Sequence, residues 1–123
     1  MSSVNKVILV GHIGKSPEHR KLSGEISIIS FPLATTTTHK KDGRTSEDTE
    51  WHNIIMWRDM ADSAYKILEK GKLIYIEGKL QTRSFEKDGI KRYTTEIIVN
   101  TFTLLGRSSD FTASEHREQT AEK

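Results

Sequence analysis

The sequence predicts an all-β fold with one short helix, a small five-stranded antiparallel barrel, on three observations. Runs rich in β-branched and aromatic residues are punctuated by glycine-containing turns. A single stretch, Ala61, Ala64, Tyr65 and Leu68, repeats at helical spacing. The last two runs meet across Glu86-Lys87-Asp88-Gly89, whose Asp-Gly pair favours a tight hairpin. Three runs precede the helix and two come after it, and closure into a barrel removes the edges that five short strands would expose.

The first strand is the run Val4, Val7, Ile8, Leu9 and Val10, stopped by Gly11, with Gly14 and Pro17 marking a turn. The second is Ile26, Ile28, Ile29, Phe31 and Leu33, in which Pro32 lacks a ladder donor and is expected at an edge or bulge. Thr35 to Glu50 is rich in hydroxyl and charged residues and almost free of apolar ones, so it reads as a long mobile hairpin loop. In the third strand alternation sets Trp51, Asn53, Ile55 and Trp57 on one face and His52, Ile54 and Met56 on the other. Asp59 is the expected cap of the helix, and Gly71 ends that region. Lys72 to Phe85 and Lys91 to Leu105 supply the closing hairpin.

The chain has 123 residues, which suits one hydrophobic core, expected over residues 1–106, followed by a polar, disordered tail over 107–123. Its apolar runs fall well short of the roughly 20 residues that span a bilayer, so no membrane association is expected. The opening Met1-Ser2-Ser3-Val4-Asn5-Lys6 has none of the features of a secretory signal, and the chain has no cysteine, so a cytoplasmic location is expected. Disulfides and thiolate metal sites are excluded. The net charge is only +2, too small to announce a nucleic-acid partner by itself. It is unevenly spread, with 16 basic against 13 acidic residues before position 107 and three against four from there on.

The strongest candidate site joins Trp51, Trp57 and Phe85 with Lys40, Lys41, Arg58, Lys70, Lys79, Arg83 and Lys87. Exposed rings offer flat faces on which any base stacks, and neighbouring cations track phosphates. Composition alone leaves open that the indoles are core. Alternation favours exposure, because Ile54 and Met56 already supply an apolar face opposite them. Gly11-His12-Ile13-Gly14-Lys15-Ser16 ends like a phosphate-binding loop, but two residues rather than four separate its glycines and Pro17-Glu18-His19-Arg20 breaks up the turn. Glu47-Asp48-Thr49-Glu50-Trp51-His52 gathers three carboxylates and an imidazole, better read as solvated charge than as a magnesium site. The five histidines lack metal-ligand spacing and no nucleophile is paired with a base, so no catalysis, cofactor or metal is expected.

Five blocks, in order, carry a resemblance. They are Val4-Asn5-Lys6-Val7-Ile8-Leu9-Val10-Gly11, Phe31-Pro32-Leu33-Ala34-Thr35, Glu50-Trp51-His52, Gly71 through Leu80, and Tyr93-Thr94-Thr95-Glu96-Ile97-Ile98-Val99. Over roughly residues 3–106 the chain resembles the bacterial single-stranded DNA-binding proteins. The resemblance implies an OB fold, assembled as a homotetramer, that binds single-stranded DNA with little sequence preference in DNA replication, recombination and repair.

By that resemblance Trp51 matches the family's stacking tryptophan, Phe85 an aromatic that is often tryptophan, and Trp57 a position that is commonly phenylalanine. His39 aligns with a tryptophan of some members. Lys6, Lys70, Lys72 and Arg83 match basic positions that look like phosphate contacts, while Gln81 replaces a residue that is basic in some relatives. His52 matches a subunit-interface position, and pairing through the first strand and the face bearing His52, Ile54 and Met56 is expected. Family members typically end in an acidic tip that recruits enzymes. This chain ends Thr120-Ala121-Glu122-Lys123, and recruitment through such a tip is not expected of it. The alternative reading is an OB-fold primosome or protein-interaction subunit with weak affinity for DNA.

Overall fold

The computed structural model describes residues 2–107; of the expected tail over 107–123, Arg107 ends the last strand and 108–123 lie outside the described residues. The elements are β1 (Val7–Ile13), β2 (Glu18–Leu22), a 3₁₀ turn at Ser23–Glu25, β3 (Ile26–Lys41), β4 (Arg44–Trp57), α1 (Arg58–Ile67), β5 (Lys72–Lys87) and β6 (Ile90–Arg107). Strands pair in the order β1-β5-β6-β4-β3-β2, and β1 also pairs with β3 through His12↔Ala34 and Ile13↔Leu33. That last contact closes β1, β5, β6, β4 and β3 into a five-strand barrel. β2 lies outside the ring, paired only with β3. All the pairings are antiparallel except β4 with β6, which run parallel over Asn53↔Glu96 to Ile55↔Ile98.

The five-stranded barrel and its single helix match the sequence expectation, except that β1 continues through Gly11 to Ile13 instead of stopping there, where it pairs on with β5 and β3, and with three further differences. Thr35 to Glu50 is strand rather than loop, since β3 and β4 pair without interruption from Ile28↔Trp57 to Lys41↔Arg44. A two-stranded ribbon satisfies its backbone groups through the ladder and needs no core, and the four threonines at 35–38 are good strand formers. Its tip is the pair Asp42-Gly43, with φ of 53° and 76°, nearly the same geometry as Asp88-Gly89 at 54° and 76°. Both central residues at positive φ give the turn whose twist matches a tight hairpin. The same Asp-Gly signal therefore marks both hairpins in the sequence.

The second difference is β2, a polar segment with no apolar alternation that exists because β3 offers it a ladder. The third is the helix start. Asp59 is not the cap; α1 begins at Arg58 after Trp57, and no side chain caps it. Arg58, at φ 61°, turns the chain sharply from β4 into the helix, which leaves Asp59 in the first turn where its charge meets the positive end of the helix dipole. Pro32 falls where the neighbour of β3 changes from β2, last paired at Ser30, to β1, first paired at Leu33. A break in the ladder tolerates a residue without an N–H.

The core is Ile13, Ile29, Phe31, Leu33, Ile54, Met56, Ile74, Ile76, Ile97 and Val99, sealed at one end by Ala61, Ala64 and Leu68 of the α1 region. Tyr65, the remaining member of the helical repeat, is half-exposed and stacks instead on His19 of β2, with ring centroids 4.7 Å apart.

Candidate nucleic-acid interface

Register across the barrel shows which side chains share its outer surface, since partners in adjacent strands point the same way. One row runs Lys79, Ile98, Ile55, Ser30 and Glu18, from β5 through β6, β4 and β3 to β2. The next runs Gln81, Glu96, Asn53 and Pro32. Trp57 pairs with Ile28 and Ile28 with Arg20; Trp51 pairs with Ala34, Arg83 with Thr94, and Phe85 with Arg92. All of these lie on one outer face. Trp51 and Trp57, six residues apart on β4, are therefore separated by about 20 Å along the strand.

Both indoles are outside the core, Trp51 at 61% exposure and Trp57 at 38%, and Phe85 is exposed to a similar degree as Trp57. Arg83 lies between aromatic and acid. Its Nε donates to Glu96 at 3.0 Å, and its Cζ stands 5.7 Å from the centre of the Phe85 ring. The Glu96 carboxylate is nearly buried in this surface, so the ion pair anchors the guanidinium through Nε while the Arg83 side chain stays half-exposed. An open cleft across the face is lined by Lys15, Ser16, Arg20, Asn53, Arg83 and Thr94 among others. Lys15, Arg20, Lys79 and Arg92 make no ion pair among the described residues.

The expected site residues divide. Trp51, Trp57, Phe85, Lys79, Arg83 and Lys87 fall on this face, and Lys40 has the same pleat parity on the β3–β4 ribbon. Arg58 follows Trp57 directly, and Lys70 stands at the rim, its backbone N–H donating to Ser16 Oγ. His39 and Lys41 have the opposite parity, and His39 Nε2 is 2.9 Å from Asp48 Oδ2. Lys6 pairs with Glu77 at 3.3 Å on the outer surface of β1 and β5. Lys72 Nζ donates to the carbonyl of Ile67 at the end of α1, where a cation complements the helix dipole. Sequence reasoning missed Lys15, Arg20 and Arg92. Arg92 was legible once Phe85 was paired across the Asp-Gly turn, whereas Lys15 and Arg20 depend on β2.

The expected interface of His52, Ile54 and Met56 is corrected. Ile54 and Met56 are wholly buried within the single barrel, so they are unavailable to another chain. Alternation placed the three on one face without showing that this face turns inward. His52 is half-buried where the core gives way to the ribbon, hydrogen-bonded to Thr35 Oγ1 at 2.8 Å.

The first strand, the other part of the expected interface, does expose apolar side chains. Ile8 and Val10 of β1 are 56% and 48% exposed and share the outer face with Tyr75 and Glu77, and Val4 and Leu105 are exposed as well. The Tyr75 hydroxyl donates to Glu77. That bond, and after it the Lys6 ammonium, hold the Glu77 carboxyl below its ordinary value, while the same bond, burial and the Glu77 charge push the Tyr75 hydroxyl up.

The remaining motifs carry no catalytic arrangement. Gly11 to Ile13 lies in β1 and no helix follows Lys15-Ser16, so the backbone amides of a phosphate-binding loop are not assembled there. Glu47 lies on one face of β4 and Asp48 and Glu50 on the other, and no metal-binding cluster of acidic and histidine side chains occurs among the described residues. No helix among them is long and apolar enough to cross a membrane.

A closed β-barrel bearing exposed rings and unpaired cations on one outer face defines an open-faced binding barrel of the OB type. Residues 4–105 match the model of the single-strand binding protein family, and the chain belongs to that family. It is 44% identical over 106 residues to single-stranded DNA-binding protein 1 of Chlorobaculum tepidum, spanning 84% of this chain and 65% of that one. It is 42% identical to the single-stranded DNA-binding protein of Neisseria meningitidis, spanning 85% and 61%. The chain thus spans somewhat less than two thirds of the length of these relatives. Among solved structures it resembles a Plasmodium falciparum SSB in complex with ssDNA, at a TM-score of 0.74 and 30% identity over 86% of this chain and 96% of that one. A deletion mutant of the Thermus aquaticus single-stranded DNA-binding protein superposes at 0.72, with 29% identity over 83% and 50%.

Proposed function

We propose that this chain binds single-stranded DNA with little sequence preference and serves DNA replication, recombination and repair as a coating protein rather than an enzyme. The observation that carries this is the placement of Trp51, Trp57 and Phe85 on one outer face among cations that, Arg83 apart, pair with no carboxylate among the described residues. Each stacked base contributes roughly 1–3 kcal/mol whatever its identity, and counterion release adds an affinity that falls with salt. Lys40, Arg58, Lys70, Lys79, Arg83 and Lys87 are the proposed phosphate contacts, together with Lys15, Arg20 and Arg92. Lys6, Lys72, His39 and Lys41 drop out of the binding face, because their partners or pleat parity direct them elsewhere.

Residues 1–106 form the proposed binding domain and 107–123 a tail outside it. Self-association, as a homotetramer by family resemblance, would use the apolar outer face of β1, with His52 as a further contact. A cytoplasmic, nucleoid-associated location follows from the proposed substrate. Titration with an oligothymidylate while following tryptophan fluorescence tests the main reading. Quenching with a clear preference for single strand over duplex is expected; no quenching, or equal affinity for both, would refute it.

A further inference from the structure

The stretch Gly11-His12-Ile13-Gly14-Lys15-Ser16 fits no phosphate loop, yet its second glycine has a specific neighbour. Gly14 is not among the glycines with positive φ, so backbone conformation does not demand glycine there. Space does. A Cβ on Gly14 would lie 2.4 Å from Cζ3 and 2.9 Å from Cη2 of Trp51, well inside the 3.5–4.0 Å at which carbon atoms rest. The Gly14 N–H donates to the Pro32 carbonyl at 2.8 Å, which fixes the backbone beside the edge of the ring. Gly14, Lys15, Pro32 and Trp51 line one small cavity.

Gly11 provides the contrast. A Cβ there would meet the Ala34 carbonyl oxygen at 2.3 Å where β1 crosses β3, so its requirement belongs to the barrel. At Gly14 the obstacle is the far end of an exposed side chain, which is free to swing away while the barrel stays intact.

We propose that Gly14 is a positioning residue for DNA binding: it seats the Cζ3–Cη2 edge of the Trp51 indole against the chain leaving β1, so that the ring is held in one orientation with its faces open to a base. This rests on Trp51 being a stacking platform. Without a seat, an indole on an exposed ribbon samples several rotamers and must be ordered on binding, which lowers affinity.

The test compares the full chain with its Gly14→Ala, Trp51→Ala and doubly substituted forms, using a labelled oligothymidylate. Gly14→Ala is expected to weaken binding by about 5-fold or more, the low end of one base stack. The same substitution added to Trp51→Ala is expected to change affinity no further, because the atoms it displaces are gone. In a Trp57→Phe background, Gly14→Ala should also shift the emission of Trp51 to the red in the free protein. If Gly14→Ala lowers the melting temperature, recovery in the doubly substituted form supports the contact, and an equal drop there overturns it. Unchanged affinity in Gly14→Ala, or an equal loss with and without Trp51, overturns the seat. Unchanged affinity in Trp51→Ala would instead sink the stacking reading itself.

Discussion

The barrel has two contrasting outer faces. The face built from β2, β3, β4 and the paired halves of β5 and β6 exposes indole and phenyl rings, and most of its cations make no ion pair among the described residues. The outer face of β1 and β5 exposes aliphatic side chains, and its charges neutralise one another, Lys6 against Glu77 with Tyr75 behind it. Both are apolar surfaces on the same barrel. Rings among unpaired cations suit a stacked polyanion, whereas aliphatic groups among satisfied charges suit another protein surface, which strips water without leaving a charge unpaired.

The largest expected effect separates the two faces by substitution. Trp51→Ala should weaken binding to single-stranded DNA by about 1–3 kcal/mol while leaving the mass from light scattering unchanged. Ile8→Asp should lower that mass and leave fluorescence quenching by oligothymidylate in place. The reverse pattern would exchange the two assignments.

A smaller effect distinguishes cations by whether they are already engaged. Lys79→Ala should reduce the slope of log affinity against log salt by about 0.7, the contribution of one phosphate contact on a single strand. Lys72→Ala should leave that slope unaltered, because its ammonium is held at the end of α1. Equal slopes for both variants would remove the distinction.

The smallest effect concerns pH. The Glu77 carboxyl is held low chiefly by the Tyr75 hydroxyl and then by Lys6, so the tie persists above the ordinary glutamate value and is lost only as pH falls through the lower folded one. Tyr75 is shifted up, so at the alkaline end the tie outlasts the ordinary tyrosine value. A carboxyl-carbon NMR titration of Glu77 should therefore show a midpoint below that of an unperturbed glutamate. A midpoint at or above it would contradict the arrangement.

The residues themselves determined much of this. Alternation in Trp51 to Trp57 sorted that strand correctly, with both indoles out and Ile54 and Met56 on the other side, because side-chain direction is a local property of an extended backbone. The spacing of Ala61, Ala64 and Leu68 located the helix face, and Asp88-Gly89 placed a turn. Asp42-Gly43 held the same information, obscured by the expectation that a polar segment cannot be strand.

Only the tertiary structure decided the rest. It set whether the Ile54 and Met56 face turned to the core or to a second chain, whether Glu18–Leu22 found a ladder, which lysines were consumed by Glu77 and by the end of α1, and that Gly14 lies against the edge of Trp51. The Lys72 bond and the β2–β3 ladder join segments close together in the chain, whereas the others depend on contacts between residues far apart. Such contacts arise from strand register and barrel closure, which local periodicity leaves undetermined.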